Sequence, residues 1–512
     1  MNQLPPEIAS HAASEIATTL KARRSKLAAW ADDYYESLAK TVEITGTTGN
    51  EVIRVTNLSK DETKVEVFAL DKNGQPGIET LYARTFTSKE TKEIRIYGID
   101  GTDQYEINAT SGIPIKMRII GGPSHDVYKS SGSGNNIIIY DNKENDLSGL
   151  TSGKKRLSEN PFVHLYNYAG FEYDKKGFGF SPSYNEEDRI HVQVKYEWEK
   201  QQFRKHPFGS HHELAARYSI SEMAPSVGYT GVFTKVIGNW NLDLLANYDW
   251  IRWNNYYGIG NETKNLTNDA NFNRVRSIEF DAGVGISQLF ASYHQVVLRA
   301  FYQTVQIKND PERFLAKQVP IFTEFDLKQF GGGKFEYSYT NLNNRIVPTK
   351  GIRFAADAQY SQNLKVADSS VAQFTSTLNI YLPLSKSFTI AVKTGGATLT
   401  GKPEFYQLNK IGGGRSLRGF RKYRFYGESS FFNQFELQFL PEVRTSLFNG
   451  KAGVIAFYDI GRVWQPGEIS STWHYGYGGG ILISPFNKFA VAVFHGRSKN
   501  ERATALRFSA GF

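Results

Sequence analysis

Along most of this chain apolar and polar residues alternate with a period of two. Ile190, Val192, Val194, Tyr196 and Trp198 fall on one side, while His191, Gln193, Lys195, Glu197 and Glu199 fall on the other. Trp240, Leu242, Leu244, Ala246, Tyr248 and Trp250 likewise oppose Asn241, Asp243, Asn247 and Asp249. Ile278, Phe280, Ala282, Val284 and Ile286 oppose Ser277, Glu279, Asp281 and two glycines. Successive side chains of an extended chain point to opposite faces, so this period predicts strands. About sixteen such strands follow residue 161, starting near 176, 188, 209, 226, 239, 274, 292, 330, 350, 371, 385, 428, 451, 472, 487 and 502. The polar face keeps several charges per strand and aromatics gather at strand ends. A soluble sandwich has its charges outside and shorter strands; a membrane barrel has a polar lumen and aromatic girdles. The first strand, Gly177-Phe-Gly-Phe180-Ser-Pro182, carries a proline, which donates nothing to a ladder and belongs at an edge. In the last, Thr504, Leu506, Phe508, Ala510 and Phe512 share a face, and the chain ends on an aromatic.

The first third has a different rhythm. Residues 7–40 recur near helical spacing, through Ile8, Ala12, Ile16, Leu20, Leu27 and Trp30, with ARRSK at 22–26 as a solvated face. After Thr41 the period drops to two, and residues 41–130 read as a small β domain. Gly98-Ile-Asp-Gly-Thr-Asp103-Gln-Tyr105 is echoed by Gly121-Gly-Pro-Ser-His-Asp126-Val-Tyr128, its aspartates 23 residues apart. The pair resembles the Gly-Asp turns of calcium-binding parallel β-rolls, although Ile99 and Ser124 depart from that pattern. The turns read first as solenoid-like coils without metal; Ca²⁺ held by Asp103 and Asp126 is the second reading. From 131 to 160 the runs SSGSGNN, DNKEND and SGLTSGKK read as a linker.

Composition narrows the choice of solvent. Aromatics make up 14% of the 512 residues, with 29 Tyr and 35 Phe. The mean hydropathy is nevertheless −0.43. Strands that show lipid only every second side chain reconcile the two. No apolar run reaches the roughly 20 residues of a spanning helix. The chain has no cysteine, which excludes disulfides and thiolate metal sites. Its net charge of +9 is spread out, with no basic block interleaved with aromatics as nucleic acid would require; anionic lipid headgroups are the better match. The first residues lack a signal-peptide core, which is read as a sign that Met1 lies inside a longer protein.

Other chemistry is absent from the sequence or discounted. His211 and His212 are adjacent on a strand and face opposite ways, so they do not share an ion. Gly331-Gly-Gly-Lys334 lacks the spacing of a phosphate loop, and no Gly-x-Ser-x-Gly elbow occurs. Asn261-Glu-Thr and Asn265-Leu-Thr suggest only an exposed loop.

The stretch Ile411 to Phe439 is unlike the rest. It opens on glycines and arginines and runs into a strand in which Phe431, Phe435, Leu437 and Phe439 oppose Phe432, Gln434, Glu436 and Gln438. Within it, Gly413-Gly-Arg-Ser-Leu-Arg418-Gly419-Phe420 resembles the Arg-Gly-Phe loop motif of the BamA-like surface-antigen superfamily. Phe457-Tyr-Asp459-Ile-Gly461-Arg-Val-Trp464 resembles that family's Phe-x-Asp-x-Gly strand motif, and the loop falls between the eleventh and twelfth strands, as in the family. The superfamily includes outer-membrane protein insertases and two-partner secretion transporters. The resemblance spans 161–512 and implies a mainly β chain: a 16-stranded antiparallel transmembrane β-barrel in the bacterial outer membrane, with a small N-terminal helix-plus-β periplasmic domain. Arg418 is expected to reach Glu436 or Asp459 on the lumen wall, with Gly461 leaving room. Phe508 and Phe512 are expected to form the C-terminal assembly signal. The implied activity is insertion or translocation of proteins through a seam between first and last strands, without covalent catalysis or cofactor. Its partners would be outer-membrane lipids, client polypeptides and other envelope assembly subunits. The N-terminal part resembles segments that join calcineurin-like phosphoesterases to such barrels in Bacteroidota. On that basis an anchor or exporter of a phosphoesterase passenger upstream of Met1 is the alternative, and a plain porin-like channel is the third.

Overall fold

A computed structural model describes residues 6–510 apart from 111, 152, 160–163, 169–171, 186–188, 268, 270, 319–324, 446–447 and 500. The chain divides into two units, Met1–Phe171 and Glu172–Phe512.

The first unit opens with helix α1, Pro6–Ala39. Eleven strands follow: β1 Thr41–Thr45, β2 Glu51–Asn57, β3 Glu62–Leu70, β4 Pro76–Thr87, β5 Glu93–Tyr97, β6 Gln104–Ala109, β7 Lys116–Ile120, β8 Val127–Gly132, β9 Ile137–Asp141, β10 Asp146–Gly149 and β11 Lys154–Leu157. They form two parallel stacks, β1-β5-β7-β9-β11 and β10-β8-β6-β2, the second extended by the antiparallel pair β3-β4. The unit is therefore a β-solenoid whose successive coils advance by one strand in each stack. In-register columns fill it. Ile44 lies over Ile96, Ile119 and Ile139, and Ile53 over Tyr105 and Tyr128, whose rings stack 4.7 Å apart. The segment 131–160, expected as a linker, instead supplies β9, β10 and β11. Its polar runs are the coil turns, and Ile137 and Ile139, both fully buried, extend the core column. Alternation in a five-residue strand is too short to stand out between such turns.

Among the described residues the second unit is one large sheet, with Asn409–Ile411 and Phe425–Gly427 paired apart from it as a two-stranded ribbon. Its strands are β12 Lys175–Asn185, β13 Arg189–Lys200, β14 Ser210–Ser219, β15 Ala224–Ile237, β16 Trp240–Asn255, β17 Arg274–Phe290, β18 His294–Ile307, β19 Lys328–Leu342, β20 Gly351–Asn363, β21 Ser370–Pro383, β22 Phe388–Gly401, then after short β23 Asn409–Ile411 and β24 Phe425–Gly427, β25 Ser429–Phe439, β26 Glu442–Arg444, β27 Asn449–Trp464, β28 His474–Pro485, β29 Phe489–Arg497 and β30 Arg502–Ala510. Sixteen long strands and short β26 pair antiparallel in chain order, each long strand beginning within three residues of its expected start. The last strand comes back to contact the first. Outward positions are apolar and exposed, among them Phe178, Val194, Leu214, Val284, Leu298, Phe335, Phe374, Leu437 and Val493. At the short-turn end aromatics pair across neighbouring strands: Trp198 on His212, Trp240 on Phe290, Tyr293 on Tyr339, Phe388 on Phe439 and Phe489 on Phe508. Long connections, 256–273, 308–327 and 402–428, all leave the opposite end.

Candidate functional site

The connection from β22 to β25 does not extend away from the sheet. Leu417, Arg418 and Phe420 within it are buried, with Arg418 2% exposed. Arg418 lands on the polar face of the wall. Its Nε and Nη2 donate to Asp459 Oδ2 and Oδ1 at 2.9 and 2.6 Å, a two-pronged match of guanidinium to carboxylate. Its Nη1 donates to Glu436 Oε1. The backbone N–H of Arg418 donates to Asp459 Oδ2 at 2.8 Å, so the carboxylate holds main chain and side chain together. Gln434 donates to Asp459, Gln438 to Glu436, and Arg507 from β30 donates to Glu436 at 3.1 Å. The Arg418 guanidinium also lies 3.9 Å from the ring centre of Phe457 and 5.2 Å from that of Phe494. Such a cation over aromatic faces is favoured where water is excluded.

Strand register explains why these groups meet. Gln434 pairs with Asp459 and Glu436 with Phe457 across β25 and β27, so all four share the inward face. The approach of the loop is permitted by glycines on the wall. A Cβ on Gly476 would sit 1.7 Å from Arg418 O, and one on Gly496 would sit 2.6 Å from Gly419 N. Gly419 itself has φ +90, and a Cβ there would meet Arg497 backbone at 2.9 Å. Gly461 lies under the start of the same stretch, where a Cβ would meet Ile411 Cδ1 at 3.2 Å and Phe431 O at 2.9 Å.

The rest of the loop is fastened too. Phe420 packs with Ile411, Leu417, Phe425 and Val463. Arg424 donates to Glu501 at 2.6 Å and to Thr263 through Oγ1 and O. Asn261, expected on an exposed loop, is 3% exposed and donates to Val463 O and Glu468. Residues 257–263 of that connection lie against the loop, which an isolated sequon cannot reveal. At the short-turn end Val347, from the connection between β19 and β20, packs on the inner wall against Leu440, Ile455, Phe457, Leu482 and Phe494.

The structure brings Arg418, Glu436 and Asp459 together, with Gly419 and Phe420 beside them. Gly476, Gly496, Phe494 and Arg507 were not foreseen; the run of glycines at alternate positions of β28, Gly476, Gly478 and Gly480, was the available signal. Phe508 faces outward and stacks on Phe489, while Phe512 lies outside the described residues. His212 sits in the outer aromatic girdle and donates to or accepts from Tyr229, whereas His211 faces Glu199 on the inner side.

Asp103 and Asp126 lie in the solenoid, both fully buried. Each caps its neighbouring coil. Asp103 Oδ1 accepts the Glu51 N–H, Asp126 Oδ1 accepts the Asp103 N–H, and Asn145 Oδ1 accepts the Asp126 N–H. Among the described residues no cluster of three or more His, Cys, Asp or Glu is arranged to hold a metal. Burial pushes the Asp103 carboxyl up to about 9 and that of Asp126 up to about 7, and neighbouring carboxylates add to both shifts.

An antiparallel sheet with an apolar outside, a polar inside and a loop fastened to the inner wall defines an outer-membrane β-barrel with an internal clasp. The chain belongs to the Omp85 superfamily, whose domain matches residues 208–512. No curated protein sequence matches it. Among solved structures it is similar to BamA from Haemophilus ducreyi lacking POTRA domains 1–3, at 14% identity and TM-score 0.49, over 66% of this chain and 70% of that one. It is also similar to CdiB from Acinetobacter baumannii and from Escherichia coli, at 12% and 11% identity and TM-score 0.43 for each. Those matches cover 73% and 66% of this chain but 64% and 62% of the CdiB chains, less than two thirds of their length.

Proposed function

We propose that this barrel assists insertion or translocation of polypeptides at the outer membrane, working at the seam between β12 and β30 while the Arg418 loop braces the adjoining wall. It does so without covalent chemistry. The observation that carries the reading is the state of the sheet's two ends. β12 and β30 contact one another, yet among the described residues their ladders run only to β13 and β29. A strand with unpaired N–H and C=O groups is a template for an added strand. β12 carries Pro182, which removes one donor, and Gly177 and Gly179, which weaken packing. Arg507 ties β30 to Glu436, so the clasp and the last strand share a carboxylate. Clients, outer-membrane lipids and further envelope assembly subunits are the partners this implies. β12 begins at the short-turn end, which in bacterial barrels faces the periplasm, so the N-terminal unit belongs there. The chain lacks cysteine, so a cysteine in β12 and one in β30 give a clean disulfide. Closing that bond should stop client assembly in proteoliposomes and reduction should restore it; undiminished assembly with the bond closed would refute the seam.

A second reading is favoured by one observation: the family match leaves the first 207 residues uncovered, and part of them forms a solenoid. There the barrel anchors or exports an N-terminal passenger such as a phosphoesterase, and metal-ligand motifs in the genomic sequence preceding Met1 would support it.

A further inference from the structure

We propose that the exposed face of α1 is a self-association surface, on which the same helix of a second copy lies antiparallel. The helix is long and nearly free-standing. Leu20, Leu27, Trp30 and Tyr34 are 53%, 61%, 50% and 67% exposed. With Ala13 and Ile16 they recur at alternating steps of three and four residues, interrupted only at Arg23, which is the seam of a coiled coil. A single helix with such a stripe gains its stability from covering it. Tyr35 is held on another side of the helix, accepting from Arg84 at 3.0 Å and donating to Glu90, which leaves the stripe open.

Charge selects the occupant and its direction. Lys21, Arg23, Arg24 and Lys26 form a basic block, and Asp32, Asp33 and Glu36 an acidic one further on. A parallel copy lays basic block on basic block. An antiparallel copy lays each on its complement. The acidic half also disfavours an anionic lipid surface. In the antiparallel register that keeps the stripe continuous, Leu27 of one copy meets Trp30 of the other, Arg23 lies beside Tyr34, Leu20 faces Ser37, and Lys26 reaches Asp33 on the flank.

The test uses the full, cysteine-free chain in detergent micelles, with barrel folding checked by heat-dependent gel mobility. Leu20→Cys and Ser37→Cys are made as separate chains and oxidised alone and mixed. A disulfide dimer in the mixture and in neither chain alone is expected. A Leu20→Cys dimer formed alone would mean a parallel pair. No disulfide with a monomeric mass, with or without binding to phosphatidylglycerol vesicles, would also overturn the proposal. Lys26→Asp and Asp33→Lys should each weaken dimerisation about tenfold, since attraction becomes repulsion at both symmetry-related pairs, and combining them should restore it. Equal affinity in all four chains would overturn the assigned register.

Discussion

Arg418 answers two carboxylates and two aromatic rings at once, and it is almost wholly out of water. Removing Arg418 leaves Asp459 buried without its cation, which costs about 3–5 kcal/mol, while Glu436 keeps Arg507. Arg418→Ala should therefore lower the temperature at which the barrel unfolds on heated gels. Arg418→Lys should fall between, since a lysine keeps the charge and loses the fork. Gly476→Ala reaches the same result from the other partner: its Cβ meets a backbone oxygen, which cannot swing aside. That variant should release the loop, read as tryptic cleavage after Arg421 and Arg424. The charged members of this site were legible in sequence because a motif and a period of two placed them on one face. The glycines of β28 and β29 were not, because a missing side chain acquires meaning only when a distant segment crosses it. Nor was Arg507, which reaches Glu436 across the barrel's last strands from a stretch that in sequence is only an alternating strand.

At the scale of the element, the solenoid is held by a ladder of carboxyls that cap backbone N–H groups out of water. Asp103 and Asp126 keep a proton in the folded chain that the unfolded chain has released above about pH 4. Their contribution is fully present below that pH and is lost as pH rises through about 7 and then about 9. Hydrogen exchange across β5 to β9, corrected for intrinsic rates, should report weaker protection at pH 9 than at pH 6. Asp103→Asn should flatten that difference, and an unchanged slope would remove Asp103 from the account. The two coils around these aspartates were legible from their repeat. The coils after them were hidden by turns of Ser, Gly, Asn and Lys, whose composition is that of a linker. Only stacking on β7 gives the short strand β9 a reason to exist.

On the largest scale, strand number, order and face were readable in the barrel because lipid outside and polar lumen inside impose one rule on each of its strands. What escaped was the filling of the barrel. The 256–273 and 343–350 connections bind inward through scattered contacts, such as Asn261 to Val463 and Val347 to Phe457, that follow no period. Those contacts make the clasp one part of a packed interior, so its strength is a property of the barrel and not of an isolated ion pair. The most direct measurement is a double-mutant cycle by urea unfolding in lipid vesicles, with Arg418→Ala, Asp459→Ala and both together. A clasp gives a coupling of about 2 kcal/mol or more, with the double variant scarcely weaker than either single one. Losses that simply add would show that loop and wall are not joined through these two residues, and would contradict the account.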